Sequence, residues 1–169
     1  RAQKKFELMH ELGTQRLLIC SNVSPHVIDD NARAAADLRE LAEIAKREGF
    51  MIGYEALAWG RYVADYYDAW DIVKRADHSN LGIIIDPFHM FARGNTLDLL
   101  RDEIPIEKIA LVQVADAPSL QMDVLSYSRH FRCFPGQGDM PVVELVQTLR
   151  DKGFNDYLSH EIFNDEFRS

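Results

Sequence analysis

The chain has 169 residues, of which 47% are hydrophobic, and this is enough to bury a hydrophobic core in one globular domain. Its formal net charge of −8 argues against a nucleic-acid partner, because phosphate binding needs clustered Lys and Arg, and the sequence has no such cluster. No stretch approaches the roughly 18 to 20 apolar residues that a membrane-spanning helix needs. The composition therefore predicts a globular protein that acts on a small molecule, with neither nucleic acid nor membrane as a partner.

The two cysteines, Cys20 and Cys133, lie far apart in the sequence, and there is no Cys-x-x-Cys pair. This usage fits a reduced protein of the cytoplasm better than a secreted protein stabilised by disulfides. We therefore expect a cytoplasmic protein with two free thiols.

Apolar residues at helical and strand spacing predict helices and strands that alternate along the chain. The first predicted helix covers residues 1–12 and ends at Gly13, a residue suited to a left-handed cap. The predicted strands are Arg16–Cys20, 51–57, Leu81–Ile85, 109–114 and 157–163, and the helices between them are Asn31–Glu48, 62–76, 96–102 and 141–152. Strands that alternate with helices at this spacing predict βαβ units and an α/β fold with a parallel sheet.

A (β/α)8 TIM-type barrel explains this order better than an open doubly wound sheet, which would normally show a Gly-rich phosphate turn after a strand. Such a barrel usually takes about 250 residues, so residues 1–169 are expected to be the C-terminal part of one barrel domain, about strands four to eight. The chain also starts within a helix and without an initiator Met. With the N-terminal strands absent, the open sheet edges would favour instability, association or a homo-oligomer.

Acidic or amide residues stand at the C-terminal ends of four predicted strands: Glu55, Asp86, Gln113 and Glu161. Carboxylates that face one another inside a barrel repel and lose hydration unless a cation neutralises them. Three carboxylates and one amide oxygen form an all-oxygen ligand set, which favours Mg²⁺ or Mn²⁺, with Co²⁺ as a further candidate, over a zinc site built from His and Cys. The pattern therefore predicts one divalent metal ion.

A structural alternative exists for each of these residues, namely that it caps a helix or pairs with an Arg at the barrel rim. Gln113 is the most informative member of the four, because an uncharged amide within an apolar strand must find a partner. Taken together, the four positions favour the metal hypothesis.

His89 follows Asp86 by three residues and is the candidate proton-transfer residue, because His exchanges a proton readily near neutral pH. The alternative is a rim His bonded to the backbone. The segment 129–139 is predicted to be a substrate loop, with two glycines that let its backbone approach a ligand. Within it, Arg132 could bind a substrate carboxylate or form a surface ion pair with Asp139. Asp116 could orient or cap this loop.

Five segments together resemble the xylose-isomerase-like TIM barrels that include sugar isomerases and epimerases, and within them the bacterial 3-dehydroshikimate dehydratases. These segments are residues 55–61, 86–89, 113–118, 132–139 and 161–165, and the resemblance covers nearly the whole chain. It implies metal ligands at Glu55, Asp86, Gln113 and Glu161 and a proton-transfer group at His89. Arg61, Arg132 and Asp116 are the candidate substrate-binding residues.

The implied reaction is the metal-dependent dehydration of 3-dehydroshikimate to protocatechuate, in quinate and shikimate catabolism. A metal on the substrate ketone would stabilise the enolate that forms when His89 takes the neighbouring proton. A metal-dependent ketose epimerase or isomerase is the second hypothesis. It needs two acid/base groups, for which Glu55 and Glu161 could serve, although many epimerases carry His where Gln113 stands. A non-catalytic barrel that binds a small molecule is the third hypothesis.

Overall fold

The computed structural model describes residues 2–167, so Arg1, the first residue of the first predicted helix, lies outside the described residues. Alternating strands and helices follow one another as the sequence predicts. The helices are α1 (Ala2–Leu12), α2 (Asn31–Glu48), α3 (Tyr66–Ala76), α4 (Pro87–Ala92), α5 (Asp98–Asp102), α6 (Val124–His130) and α7 (Val142–Asp151). The strands are β1 (Arg16–Cys20), β2 (Met51–Glu55), β3 (Leu81–Ile85), β4 (Ile109–Gln113) and β5 (Leu158–Ser159), and short 3₁₀ turns cover Ile106–Lys108 and Asp165–Phe167.

The five strands form one sheet in the order β1-β2-β3-β4-β5, and every neighbouring pair is parallel. Sequential order without a reversal is the arrangement of consecutive strands in the wall of a barrel, whereas a doubly wound sheet changes direction at a switch point. The chain is therefore an α/β half-barrel, as predicted. Among residues 2–167, no helix is both long and apolar enough to cross a membrane.

Helix α2 has the predicted bounds because both of its ends carry a cap. The Asp30 side chain accepts a hydrogen bond from the Arg33 amide at the N-terminus, and Gly49 adopts a left-handed conformation, with φ of 76°, at the C-terminus. The buried face of α2 carries Ala35, Leu38, Ala42 and Ala45 against the sheet. Leu41, which is half-buried, packs against the same core.

Other predicted boundaries are wrong by a few residues. Strand β2 ends at Glu55 rather than at residue 57, and α3 begins at Tyr66 rather than at residue 62. The last strand, predicted over 157–163, pairs with β4 only through Leu158–Ser159. Two short helices were not predicted at all, α4 and α6, and both lie near the carboxyl edge of the sheet.

The sheet has one face packed on the helices and one face turned to the barrel interior. The main hydrophobic core includes Ile52, Ile83 and Val112 on the helix-facing side. On the interior side, a Cβ at Gly53 would stand 2.7 Å from Cγ1 of Ile84, so only glycine leaves room for that side chain. Because side chains alternate between the two faces along a strand, Glu55, two residues after Gly53, also points to the interior.

Candidate metal centre

The sheet brings its predicted strand-end residues together at one edge. Glu55 ends β2, Asp86 follows β3 and Gln113 ends β4, and all three are buried, at 3%, 2% and 4% exposure. Glu161 lies two residues after β5, and 34% of its side chain is exposed. The side-chain amide of Gln113 hydrogen-bonds to Glu161. Parallel strands place their carboxyl ends on the same edge, which is where TIM barrels build their sites.

Two buried oxygens at this edge have no hydrogen-bond partner. Oε1 of Glu55 and Oε1 of Gln113 are both inaccessible to solvent and unpaired among the described residues. An unsatisfied buried acceptor costs about 1–3 kcal/mol, and more when it is charged. A cation bound between these two unpaired oxygens would satisfy both of them, so they are the strongest structural indication of a metal at this site.

Asp86 fits the structural alternative as well as the metal hypothesis. Its Oδ1 accepts a hydrogen bond of 2.8 Å from the amide of Phe88, which caps α4, with Pro87 in the first turn. Its Oδ2 accepts a hydrogen bond of 2.9 Å from Nη1 of Arg132. One oxygen therefore fixes the start of α4, and the other faces the centre of the acidic cluster.

Arg132 lies inside the cluster rather than on the surface. Its side chain is 1% exposed, and Nη1 contacts both Oδ2 of Asp86 at 2.9 Å and Oε2 of Glu161 at 3.2 Å. Ser128 accepts two further hydrogen bonds from the guanidinium, and the ring of Phe88 lies 4.5 Å below it. The predicted surface pair with Asp139 is wrong, because the chain folds Arg132 inward over Phe88 towards the interior carboxylates.

Burial and mutual repulsion favour the protonated forms of Glu55 and Glu161. Burial, together with the charges of Asp86 and Glu161, raises the pKa of Glu55 to about 8. Burial also raises the pKa of Glu161, although the charge of Arg132 opposes this shift. One guanidinium is therefore insufficient to keep all these carboxylates ionised, whereas a divalent cation would supply the missing positive charge.

His89 lies on α4, with Nδ1 accepting a hydrogen bond of 3.1 Å from the amide of Ala58. The other ring nitrogen, Nε2, lies 3.7 Å from Oδ2 of Asp86 and 3.3 Å from Nη2 of Arg132, which can only donate. Burial lowers the pKa of His89 to about 4, so the ring is neutral near pH 7. The bond to the backbone is the arrangement expected of a rim His, and it leaves Nε2 directed at the cluster.

Potential ligand atoms of Glu55, Asp86 and His89 lie within 4.8 Å of one another, so a metal could in principle take these three. The guanidinium of Arg132 argues against His89 as a ligand, because its Nη2, a positively charged donor, already lies 3.3 Å from the same Nε2. Gln113 offers an unpaired oxygen instead. The residues present therefore fit a hard divalent cation held by oxygens from Glu55, Asp86, Gln113 and Glu161.

Asp116 organises the loop that follows β4. Its two carboxylate oxygens accept hydrogen bonds of 2.8–3.0 Å from four backbone amides, those of Ala117, Gly136, Gly138 and Met140. A Cβ at Gly138 would stand 2.4 Å from Oδ1 of Asp116, so the close approach requires glycine. These bonds show that Asp116 orients the loop, as the sequence suggested, and its role in substrate binding stays a prediction.

Two further arginines lie outside the buried cluster. Arg61 is exposed, with its guanidinium 5.8 Å from the ring of Tyr62, and its role in substrate binding stays a prediction. Arg129, on α6, was not singled out from the sequence, yet it stacks on Trp59 at 5.8 Å and on Phe163 at 5.0 Å. Its place at the start of the predicted substrate loop 129–139, three residues before Arg132, is the signal that could have identified it.

Comparison with known proteins defines the class of protein. The model of the xylose isomerase-like TIM barrel family matches residues 1–169, and the chain belongs to this family. Family membership agrees with the parallel half-barrel and with the site at the carboxyl edge of its sheet.

Among individual proteins, the chain is 50% identical over 169 residues to the 3-dehydroshikimate dehydratase of Pseudomonas putida, covering all of this chain and 26% of that protein. A solved xylose isomerase-like TIM barrel/4-hydroxyphenylpyruvate dioxygenase fusion protein superimposes with a TM-score of 0.95 at 50% identity, covering 100% of this chain and 27% of that one. The inosose isomerase of Bacillus licheniformis is 30% identical over 140 residues, covering 82% of this chain and 49% of that protein. The chain thus spans about a quarter of the length of the bacterial dehydratase that it matches.

Proposed function

We propose that the barrel to which this chain contributes five strands converts 3-dehydroshikimate to protocatechuate and water, a step of quinate and shikimate catabolism. The observation that carries the proposal is the pair of orphaned oxygens on Glu55 and Gln113, since an amide ligand is the feature expected of the dehydratase rather than of its epimerase relatives. The 50% identity to the Pseudomonas putida dehydratase supports the same substrate.

The proposed centre holds one divalent ion, Mg²⁺ or Mn²⁺ with Co²⁺ as a further candidate, through Glu55, Asp86, Gln113 and Glu161. When bound, the ion supplies Lewis-acid chemistry towards a substrate carbonyl oxygen. The overall reaction breaks the C–H bond beside the ketone and the C–O bond of the β-hydroxyl, which leaves with a proton as water. The resulting dienone becomes the aromatic product when a proton of the ring CH2 group moves to the ketone oxygen.

Among the chain's own residues, His89 is the proposed proton-transfer group. Because the Ala58 amide already bonds to Nδ1, a proton can pass between the ring and a substrate only at Nε2. To take the carbon proton, the ring must carry its hydrogen on Nδ1 and release this backbone bond. Glu161, the most exposed acid of the cluster, is the second catalytic candidate.

Replacing His89 by Gln tests this role, because Gln can still donate a hydrogen bond but cannot transfer a proton. Loss of general acid–base catalysis should lower kcat by about 10²–10⁴-fold while the metal remains bound. A His89→Gln protein that keeps its turnover would show that His89 only orients the substrate.

A metal-dependent isomerase or epimerase is the second candidate function. It is favoured by the likeness to inosose isomerase and by the two interior carboxyl groups of raised pKa, Glu55 and Glu161, which could exchange protons with a substrate. The two activities differ in their products, so one assay separates them.

The deciding experiment measures bound metal in the full-length protein and then follows the ultraviolet absorbance of protocatechuate with 3-dehydroshikimate as substrate. Metal with turnover supports the dehydratase, and metal with turnover of a ketose or an inosose instead supports the isomerase. A protein that binds small molecules without metal or turnover would be a non-catalytic barrel. Glu161→Gln should abolish both metal and turnover, whereas the exposed control Glu107→Gln should change neither.

A further inference from the structure

Cys20 lies beside the proposed metal ligand Glu55 on the neighbouring strand. The two residues are paired in register at the carboxyl ends of β1 and β2. Sγ of Cys20 donates a hydrogen bond of 3.4 Å to Oε2 of Glu55, whereas Oε1 of the same carboxylate is buried and unpartnered. The two oxygens of Glu55 therefore differ, because Oε2 accepts a hydrogen bond from Cys20 and Oε1 accepts none.

Ser21, the residue after Cys20, holds the backbone at the end of β2. The amide of Ser21 donates a hydrogen bond of 2.8 Å to the carbonyl oxygen of Glu55, and its hydroxyl accepts one of 3.0 Å from the amide of Leu57. The backbone from the Glu55 carbonyl to Leu57 is thus fixed by Ser21. The remaining freedom lies in rotation of the carboxylate itself, whose terminal torsion has a broad energy minimum.

We infer that Cys20 is a positioning residue of the metal centre: its S–H group holds Oε2 of Glu55 and so directs Oε1 at the cation. The inference rests on the proposed function, because it requires a metal at Glu55. A carboxylate with one oxygen held by a donor binds through the other, which favours the single-oxygen ligation that an octahedral ion such as Mg²⁺ or Mn²⁺ uses. The sulfur is a hydrogen-bond donor in this role and not a ligand.

The experiment compares Cys20→Ala and Cys20→Ser in the full-length protein by titrating Mn²⁺ into the metal-free forms. Loss of such an outer partner typically weakens metal binding by about 10–100-fold, so we expect this increase of the Mn²⁺ dissociation constant in Cys20→Ala. Serine keeps a donor and should restore most of the affinity. Cys133→Ala is the matched control, since this second free thiol bonds to no proposed ligand, and it should bind Mn²⁺ as the unmodified protein does.

Three results would overturn the inference, and they can be told apart. Equal Mn²⁺ affinity in Cys20→Ala and the unmodified protein would remove the role of Cys20 and leave the metal centre standing. A thiolate-to-metal charge-transfer band in the Co²⁺-loaded unmodified protein, absent from Cys20→Ser, would make the sulfur a ligand. No Mn²⁺ binding by the folded unmodified protein would refute the proposed metal centre together with this inference.

Discussion

The substitution Arg132→Met removes the guanidinium from the acidic cluster while roughly keeping the length of the side chain. In the metal-free protein this leaves Asp86 and Glu161 without the ion pairs at 2.9 and 3.2 Å that now offset their burial. Breaking a buried pair by removing one partner costs about 3–5 kcal/mol, so the free energy of unfolding should fall by this amount. The exposed control Arg150→Met should change it by less than about 0.5 kcal/mol.

A divalent cation should reverse much of this loss, because it offers the same carboxylates another positive partner. A metal ion that binds only the folded state raises the free energy of unfolding by about 2.7 kcal/mol when its concentration is 100 times Kd. The assay is urea unfolding of both variants with and without Mn²⁺, followed by circular dichroism. The reasoning is refuted if Arg132→Met costs less than about 1 kcal/mol without metal, or if Mn²⁺ stabilises it no more than it stabilises Arg150→Met.

Three further predictions concern the other side chains of the site. Gln113→Leu should change the free energy of unfolding of the metal-free protein by less than about 1 kcal/mol, because it removes an unpaired acceptor together with one hydrogen bond to Glu161. Titration of Mn²⁺ into the metal-free variant should show binding that is at least tenfold weaker. Unchanged binding would exclude Gln113 as a ligand. Burial raises the folded-state pKa of Glu55 from 4.5 to about 8, so the stability of the metal-free protein should be highest below pH 4.5, where Glu55 is protonated in both the folded and the unfolded state, and should fall as the pH rises towards 8. Urea unfolding of the metal-free protein across this window should show the decline, and Glu55→Gln should flatten it; an equal slope in that variant would contradict the assignment. Asp116→Asn should lower the free energy of unfolding by about 3 kcal/mol, because the NH2 group of Asn cannot accept hydrogen bonds from the backbone amides that it would face. A loss of less than about 1 kcal/mol in urea unfolding would show that the four hydrogen bonds do not hold the loop in place.

The sequence predicted the sheet well because the signals for it are local. Leu81–Ile85 is a continuous apolar run, and α2 carries a capping residue at each end, so that the structure reproduces both sets of bounds. The strand-end position of Glu55, Asp86 and Gln113 followed from the same pattern, since parallel strands end at a common edge.

The contacts inside the site depend on distant parts of the chain and could not be predicted in this way. Arg132 meets Asp86 across 46 residues, and nothing near either of them shows that the guanidinium turns inward. Helix α4 was missed although its start carries a recognisable signal, an N-capping Asp86 followed by Pro87. The helix is only six residues long and directly follows an apolar strand, so the sequence pattern predicts the strand and leaves His89 in the loop after it.

Diffraction from crystals of the full-length protein grown with Mn²⁺ tests the central claim most directly, through the anomalous signal of the ion. The account predicts one strong peak at the carboxyl edge of the sheet, bonded to Oε1 of Glu55, Oε1 of Gln113 and carboxylate oxygens of Asp86 and Glu161. An ion bonded to Nε2 of His89 instead of Oε1 of Gln113 would contradict this ligand assignment. The absence of any peak at this edge would contradict the metal centre itself.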